Sequence, residues 1–163
     1  MKNVFNLVFV FFLVTLSTSC STDSIDDSQE VAETIFIPQS KTIELEIMEL
    51  INEYRSALDL NILGDHNIVK AQAYKHTDYM VTEDDVSHAN FYSRKTYLMN
   101  NAGAQVVAEN VAYGFTSAQS VVNAWINSEG HKENIEGDFT HFDVSAEQNA
   151  EGDWFFTNIF IKK

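Results

Sequence analysis

The sequence is organised around three segments, V-S-H-A-N-F-Y-S-R (86–94), A-E-N-V-A-Y-G (108–114) and V-V-N-A-W-I-N-S-E-G-H-K-E-N-I (121–135). Each places one chemically active side chain, His88, Glu109 or His131, among apolar and aromatic residues. About twenty residues separate each from the next, which is too far for one helical turn or one short strand to bring them together. Any site that they form must therefore be assembled by the tertiary fold.

Composition favours one packed domain, because the 163 residues are 45% hydrophobic and 12% aromatic. The chain has 24 acidic and 10 basic residues, a net charge of -14. Nucleic acid is not an expected partner, since its binding depends on basic residues that neutralise phosphates. The acidic surface can attract cations, but by itself it specifies no ligand.

The only cysteine, Cys20, excludes an intramolecular disulfide and any zinc site that needs two or more cysteines. Residues 1–19 resemble a bacterial lipoprotein signal peptide, with an apolar run too short to span a bilayer and small residues before Cys20. A lipid on Cys20 would anchor the protein to a membrane of the cell envelope or surface. The alternative is an ordinary signal peptide and a secreted protein; both place the domain outside the cytoplasm.

Residues 20–38 are mostly polar and acidic, which predicts a flexible tether before a domain at 39–163. Helical spacing of apolar residues predicts helices over 41–60 and 67–82. His76 lies on the apolar face of the second helix, where a packed, hydrogen-bonded histidine is expected. A short third helix is predicted over 94–101, closed by Gly103, and a fourth from the Ser117 cap to Asn127.

Residues 104–113 alternate weakly in the manner of a strand, which places Glu109 among apolar neighbours. Two further strands are predicted over 142–148 and 153–161, joined by the hairpin signal N-A-E-G (149–152). Helices followed by C-terminal strands indicate an α+β domain, with helices packed on a mostly antiparallel sheet.

The residue types at the three anchors fit two kinds of chemistry. Two histidines and one carboxylate match the ligand count of a catalytic zinc site, and they are also the residues of general acid–base catalysis. Apolar surroundings are expected to raise the pKa of Glu109. Because no H-E-x-x-H motif is present, spacing alone leaves open whether they form a site. Ser87 is expected to be a loop or capping residue, since adjacent side chains seldom pair as nucleophile and base.

Four motifs in this order resemble the bacterial branch of the CAP superfamily, also called SCP-like or PR-1-like proteins: S-H-A-N-F (87–91), A-E-N-V-A-Y-G (108–114), W-I-N-S-E-G-H-K-E-N-I (125–135) and F-T-H-F-D-V (139–144). The resemblance covers about residues 42–161. It implies an α-β-α sandwich in which helices flank a mostly antiparallel sheet. It also implies a shallow cleft with two histidines and two acidic residues, which in some relatives bind zinc or another divalent cation.

Carried over to this sequence, the resemblance makes His88, His131 and Glu109 the expected metal ligands and Asn110 a neighbour in the cleft. Glu109 and Glu129 are the expected catalytic carboxylates, although Glu129 is equally suited to a helix N-terminus through the helix dipole.

Four positions depart from the family pattern. His141 stands where relatives often have glutamate and is expected at the periphery of the cleft. Ala108 replaces the glycine of the G-E-N motif. Asp143 and Ser145 replace the glycines of the strand that follows, so backbone packing there is expected to differ.

The sequence therefore predicts a lipid-anchored, extracytoplasmic CAP-domain protein whose cleft binds a divalent cation, such as zinc, and a small apolar or peptide-like ligand. No cofactor is expected to be required for folding. One alternative is a metal-dependent hydrolase in which Glu109 or Glu129 acts as general base on a metal-bound water. Another is a non-catalytic interaction module, whose polar cluster would be a buried, satisfied network without an open cleft.

Overall fold

The computed structural model describes residues 35–163; the predicted signal peptide, Cys20 and most of the predicted tether lie outside this range. No helix within it is long and apolar enough to cross a membrane. The elements in chain order are α1 (Thr42–Ala57), α2 (Asn67–Glu83), α3 (Phe91–Ala102), β1 (Val106–Tyr113), α4 (Ala118–Ile126), α5 (Glu129–Glu136), β2 (His141–Gln148) and β3 (Trp154–Lys162).

Most of the predicted elements occur close to their predicted bounds. Helix α3 begins three residues earlier than expected and ends at Gly103, which has a positive φ of 70° that glycine adopts readily. Helix α4 begins after Ser117, whose side chain accepts a hydrogen bond from the Ser120 N–H. Helix α5 was not predicted from apolar spacing, because its only buried residue is Ile135 and it has no apolar stripe; its start at Glu129 agrees with the helix N-terminus considered for that residue.

The three strands form one antiparallel sheet in the order β1-β3-β2. Strand β3 is therefore central, and β1 and β2 are the two edges. Helices α2 and α3 pack on one face and α1, α4 and α5 pack on the other. This arrangement confirms the predicted α+β class and the α-β-α sandwich.

The outer edge of β2 is covered by other parts of the domain. The Phe142 N–H donates to the Gly64 carbonyl at 2.9 Å, and the Ala146 N–H donates to Glu44 Oε1 at 2.8 Å. Between them, Lys70 Nζ donates to the Val144 carbonyl and to Glu44 Oε2, both at 2.6 Å. The ion pair is nearly inaccessible, with side chains 3% and 1% exposed for Lys70 and Glu44. A buried charge pair thus satisfies the peptide groups of this edge.

Replacing Lys70 with methionine should destabilise the fold. Lys70→Met leaves the buried Glu44 carboxylate with only the more distant Lys41 ammonium, 3.8 Å away, as a charge partner, which should cost about 3 kcal/mol of unfolding free energy. Urea unfolding followed by circular dichroism measures this. Lys75→Met, at an exposed position of the same helix, is the matched control and should change stability little. Equal losses in both variants would contradict a structural role for the buried pair.

Asp143 of β2 is a buried acid with few partners. It accepts hydrogen bonds from the Val144 N–H at 2.9 Å and the His66 N–H at 3.3 Å, and Lys70 is its nearby positive charge. Burial nevertheless raises the pKa of Asp143 to about 6. The folded state therefore favours the protonated acid, and its contribution to stability is lost as the pH rises through about 6.

Asp143→Asn should therefore increase stability at pH 8 and change it little at pH 4, where the wild-type acid is already protonated. The shift from 3.8 to about 6 sets an upper limit of about 3 kcal/mol for the gain. Unfolding free energies measured at both pH values test this. Asp78→Asn, at an exposed position, is the control and should show no such pH-dependent difference. A gain of equal size at both pH values would contradict the assignment to Asp143 ionisation.

Candidate functional site

The Glu109 carboxylate, 1% exposed, lies at the base of a cleft beside β1. Arg94, in the first turn of α3, binds it through two hydrogen bonds, from Nε to Oε2 at 2.8 Å and from the second guanidinium nitrogen to Oε1 at 2.7 Å. His88 Nδ1 lies 2.9 Å from the same Oε1. Glu109 is therefore held by an arginine from one element and a histidine from the preceding loop.

The loop that carries His88 is fixed from both sides. The third nitrogen of the Arg94 guanidinium donates to the Ala89 carbonyl at 2.6 Å. His76 of α2, buried as expected, contacts the Ser87 carbonyl through Nε2 at 2.7 Å. The same His76 nitrogen is 3.8 Å from Glu109 Oε1. Arg94 and His76 thus contact both the loop and Glu109. The same two residues therefore order the loop and the base of the cleft.

The pKa of Glu109 is lower than its ordinary value. Burial alone would raise it, but the hydrogen bonds from His88 and Arg94 and the positive charge of Arg94 outweigh that effect. The expectation of a raised pKa is therefore wrong, because Arg94 was not recognised as a partner. Glu109 is an ionised, paired carboxylate.

Helix α5 brings His131 to the same edge of the sheet. The Asn110 side-chain amide donates to the His131 carbonyl at 3.0 Å, and Asn134 donates to Asn110 Oδ1 at 2.8 Å and to the Glu109 carbonyl at 3.3 Å. Burial and the nearby His88 lower the pKa of the half-buried His131 ring. Asn110 therefore positions α5 from behind the cleft, as a structural neighbour of the site.

The cleft has a volume of about 350 Å³ and is lined by His88, Phe91, Val107, Ala108, Glu109 and Asn134. The His88 side chain is 52% exposed and stands at its mouth. Phe91, Val107 and Ala108 supply apolar wall, so the cleft combines one fixed polar base with apolar sides.

Two predicted site residues lie elsewhere. His141 begins β2 at the opposite edge of the sheet, where its ring is 5.6 Å from that of His66. Strand β3 separates it from the cleft, so the expectation of a peripheral cleft residue is wrong. Glu129 is exposed at the start of α5, and its carboxylate makes no hydrogen bond to any other residue of 35–163. The position suits the helix dipole.

The predicted metal ligands come to one edge of the sheet without forming a three-ligand set. Within residues 35–163, no three His, Cys, Asp or Glu side chains are grouped so that they could hold a metal ion together. Arg94 occupies both oxygens of Glu109. His88 uses Nδ1 for Glu109, which leaves its Nε2 as the nitrogen available to a ligand.

Sequence reasoning missed Arg94 and Asn134. Arg94 is one of two arginines in an acidic chain, which is a weak signal, and its partner Glu109 lies on another element. Asn134 follows His131 by three residues, the spacing that places two side chains on one helical face, but helix α5 itself was not predicted.

Fold and site together define an SCP-like domain. The family profile "CAP: Cysteine-rich secretory protein family" matches residues 48–160, so the chain belongs to this family. It is 29% identical over 126 residues to the uncharacterized membrane protein YlbC of Bacillus subtilis, a match of 75% of this chain and 35% of YlbC. The chain thus corresponds to about a third of that relative's length.

Two solved structures are similar in fold. An outer surface protein from Borrelia burgdorferi superposes with a TM-score of 0.69 at 22% identity, covering 78% of this chain and 98% of that protein. An extracellular protein containing a SCP domain from Bacillus anthracis superposes with a TM-score of 0.65 at 27% identity, covering 74% of this chain and 40% of that protein. These matches confirm the predicted membership of the bacterial CAP branch.

Arg94→Met should destabilise the fold in a pH-dependent way. Removal of the guanidinium leaves the buried Glu109 carboxylate with only the imidazoles of His88 and His76 beside it, which should cost about 3 kcal/mol at pH 7. The loss should be smaller at pH 4, because an unpaired buried carboxylate can take up a proton. Urea unfolding at both pH values is the measurement, with Lys95→Met on the same helix as control. A loss that does not depend on pH would mean that Arg94 acts by packing and not through Glu109.

Proposed function

We propose that this protein is an extracytoplasmic binding protein, held at the cell envelope by a lipid on Cys20, whose cleft beside β1 binds a small ligand with peptide-like and apolar groups. The observation that carries the proposal is the cleft of about 350 Å³ with a fixed polar base and apolar walls. The signal-like residues 1–19, and likeness to proteins described as extracellular and as a membrane protein, support the location.

Binding has more support than hydrolysis by a glutamate base. A carboxylate whose pKa is lowered and whose two oxygens are held by Arg94 is a weak proton acceptor. Glu129, the other predicted catalytic carboxylate, is exposed at the start of α5. A purely structural network has less support as well, because His88 is half exposed and the cleft beside it is open.

The two histidines are the residues that would hold a divalent cation in this proposal. The carboxylate behind His88 Nδ1 is the arrangement that orients a metal-binding imidazole and leaves Nε2 for the ion. In this proposal His88 and His131 hold the cation, and Glu109 acts through His88. A bound cation would supply Lewis acidity toward a carbonyl or carboxylate of the ligand.

Zinc titration by calorimetry tests the two-histidine site. The purified protein should bind about one zinc ion, and His88→Ala or His131→Ala should weaken binding at least about tenfold through loss of one imidazole. His141→Ala is the matched control, because it removes a histidine at the other sheet edge, and should bind zinc like the wild type.

Two results would count against parts of this proposal. Absence of zinc binding by the folded wild-type protein would remove the metal site and leave the ligand cleft. Equal weakening in His88→Ala and His141→Ala would show that zinc binds surface histidines without selection for the cleft.

A further inference from the structure

Backbone, and not only side chains, lines the cleft. Val107, Ala108 and Glu109 are consecutive in β1 and all three line it. Alternate side chains of a strand point to opposite faces of the sheet, so three consecutive residues cannot line one cavity through side chains on a single face. The feature that all three residues can present to the cleft is their peptide backbone, along the free edge of β1. The cleft is therefore open along the edge of this strand.

The peptide groups that point out of this edge can be assigned from their contacts. The Gly114 N–H donates to the Trp154 carbonyl, so the even-numbered residues of β1 bond inward to β3. From outside the sheet, Asn134 donates to the Glu109 carbonyl and Trp125 Nε1 donates to the Val111 carbonyl at 3.2 Å. The odd-numbered residues, Val107 among them, therefore present their N–H and C=O groups outward.

Several other outward groups of the sheet have partners. Gly64, Lys70 and Glu44 bond the edge of β2, and Asn134 and Trp125 bond the carbonyls of β1 next to the cleft.

At the cleft, three outward groups have no such partner. Within the described residues the same holds for the Val111 N–H, farther along β1. Within residues 35–163, no hydrogen bond reaches the N–H or C=O of Val107 or the N–H of Glu109 from outside the sheet. Both residues are largely buried, at 7% and 5% exposure. Because these peptide groups lie on a free strand edge that faces the open cleft, they are available to hydrogen-bond a ligand.

We infer that the cleft receives a short peptide in extended conformation, which adds a strand to the edge of β1 at Val107. The inference rests on the proposed function of the cleft as a ligand site and specifies the ligand class and binding mode. The N–H and C=O groups of Val107 and the N–H group of Glu109 belong to residues two positions apart in β1. Their separation along the strand is about 7 Å, which equals the two-residue repeat of an extended peptide. Addition of a strand to an exposed sheet edge is an established way to bind peptides.

The other cleft residues suit a peptide better than a hydrocarbon chain. A lipid tail would fill the apolar wall but leave the three backbone groups without partners, at a cost in free energy. An extended peptide meets these groups with its own backbone and can place an apolar side chain against Phe91. His88, at the mouth, can bond a carbonyl or carboxylate of the same ligand.

The test uses the blocked tetrapeptide acetyl-Ala-Val-Ala-Val-amide as probe and ¹⁵N-resolved NMR of the folded protein. Addition of the peptide should shift the amide signals of Val107 and Glu109 most, in a saturable way. A series of peptides, each N-methylated at one position, should fall into two groups by affinity, and the groups should alternate along the peptide sequence. Methyl groups facing β1 should weaken binding at least about tenfold, and those facing away should change it little.

Val107→Pro provides a test from the protein side. Proline removes the outward N–H but no bond to β3, so the edge strand should tolerate it. Val107→Ala, which trims the same buried side chain and keeps the N–H, is the matched control. We expect peptide binding to be lost in Val107→Pro and kept in Val107→Ala. Should Val107→Pro fail to fold, the N-methyl series on the wild-type protein decides.

Failure of the inference and failure of the proposed function can be told apart. No saturable binding of the tetrapeptide, or equal binding of all N-methylated versions, would overturn strand addition. If zinc binding by His88 and His131 persists in the same sample, the proposed site survives that result. Absence of both zinc and peptide binding would overturn the inference together with the proposed function.

Discussion

A sheet of three strands has two edges, and its backbone must find partners along both. Only β3 is bonded on both sides. The fold solves this problem differently at each edge: a buried lysine–glutamate pair and Gly64 cover β2, whereas Asn134 and Trp125 cover only part of β1. The cleft lies where the cover of β1 stops. Its position is therefore a consequence of the small size of the sheet, and not of a pocket between domains.

The contacts that form the candidate site also attach helices α3 and α5 to strand β1. Arg94 joins α3 to β1 through Glu109 and joins the preceding loop to α3 through the Ala89 carbonyl. Asn110 and Asn134 attach α5 to β1 and so place His131. Substitution of Glu109 would change the base of the cleft and the packing of α3 together. For this reason, the exposed His88 and the edge residue Val107 are more informative positions for separating the two effects.

Local patterns predicted much of the fold. The periodic helices α1 and α2, the glycine that ends α3 and the hairpin between β2 and β3 all depend on residues close in sequence. Helix α5 escaped prediction because it has one buried residue and is held by amide contacts to β1. The wrong prediction that His141 lies beside the cleft also has its cause in long-range structure. Sequence order places β2 next to the site motifs, but the strand order β1-β3-β2 puts it at the far edge.

The sequence predicted a candidate site of three residues, and in the structure these residues belong to a larger hydrogen-bonded network. Residue type and the family resemblance both pointed to His88, Glu109 and His131, and the structure puts them at one edge of the sheet. The family resemblance did not supply the pairing of Glu109 with Arg94, on which the charge state of the carboxylate depends. Contacts between residues on separate elements are not encoded in any short motif, so the direction of the pKa shift could not be read from neighbours in sequence.

The central position of β3 also affects when the sheet can form. Strands β1 and β2 come first in the chain but are not neighbours in the sheet; the strand with which each pairs is β3, which follows both. Val106, at the start of β1, pairs with Lys162, at the end of β3. Pairing over such sequence separations is slow, because a long loop must close before any contact compensates for it. The sheet therefore cannot form until β3 has been made, so both edge strands wait for the strand that joins them.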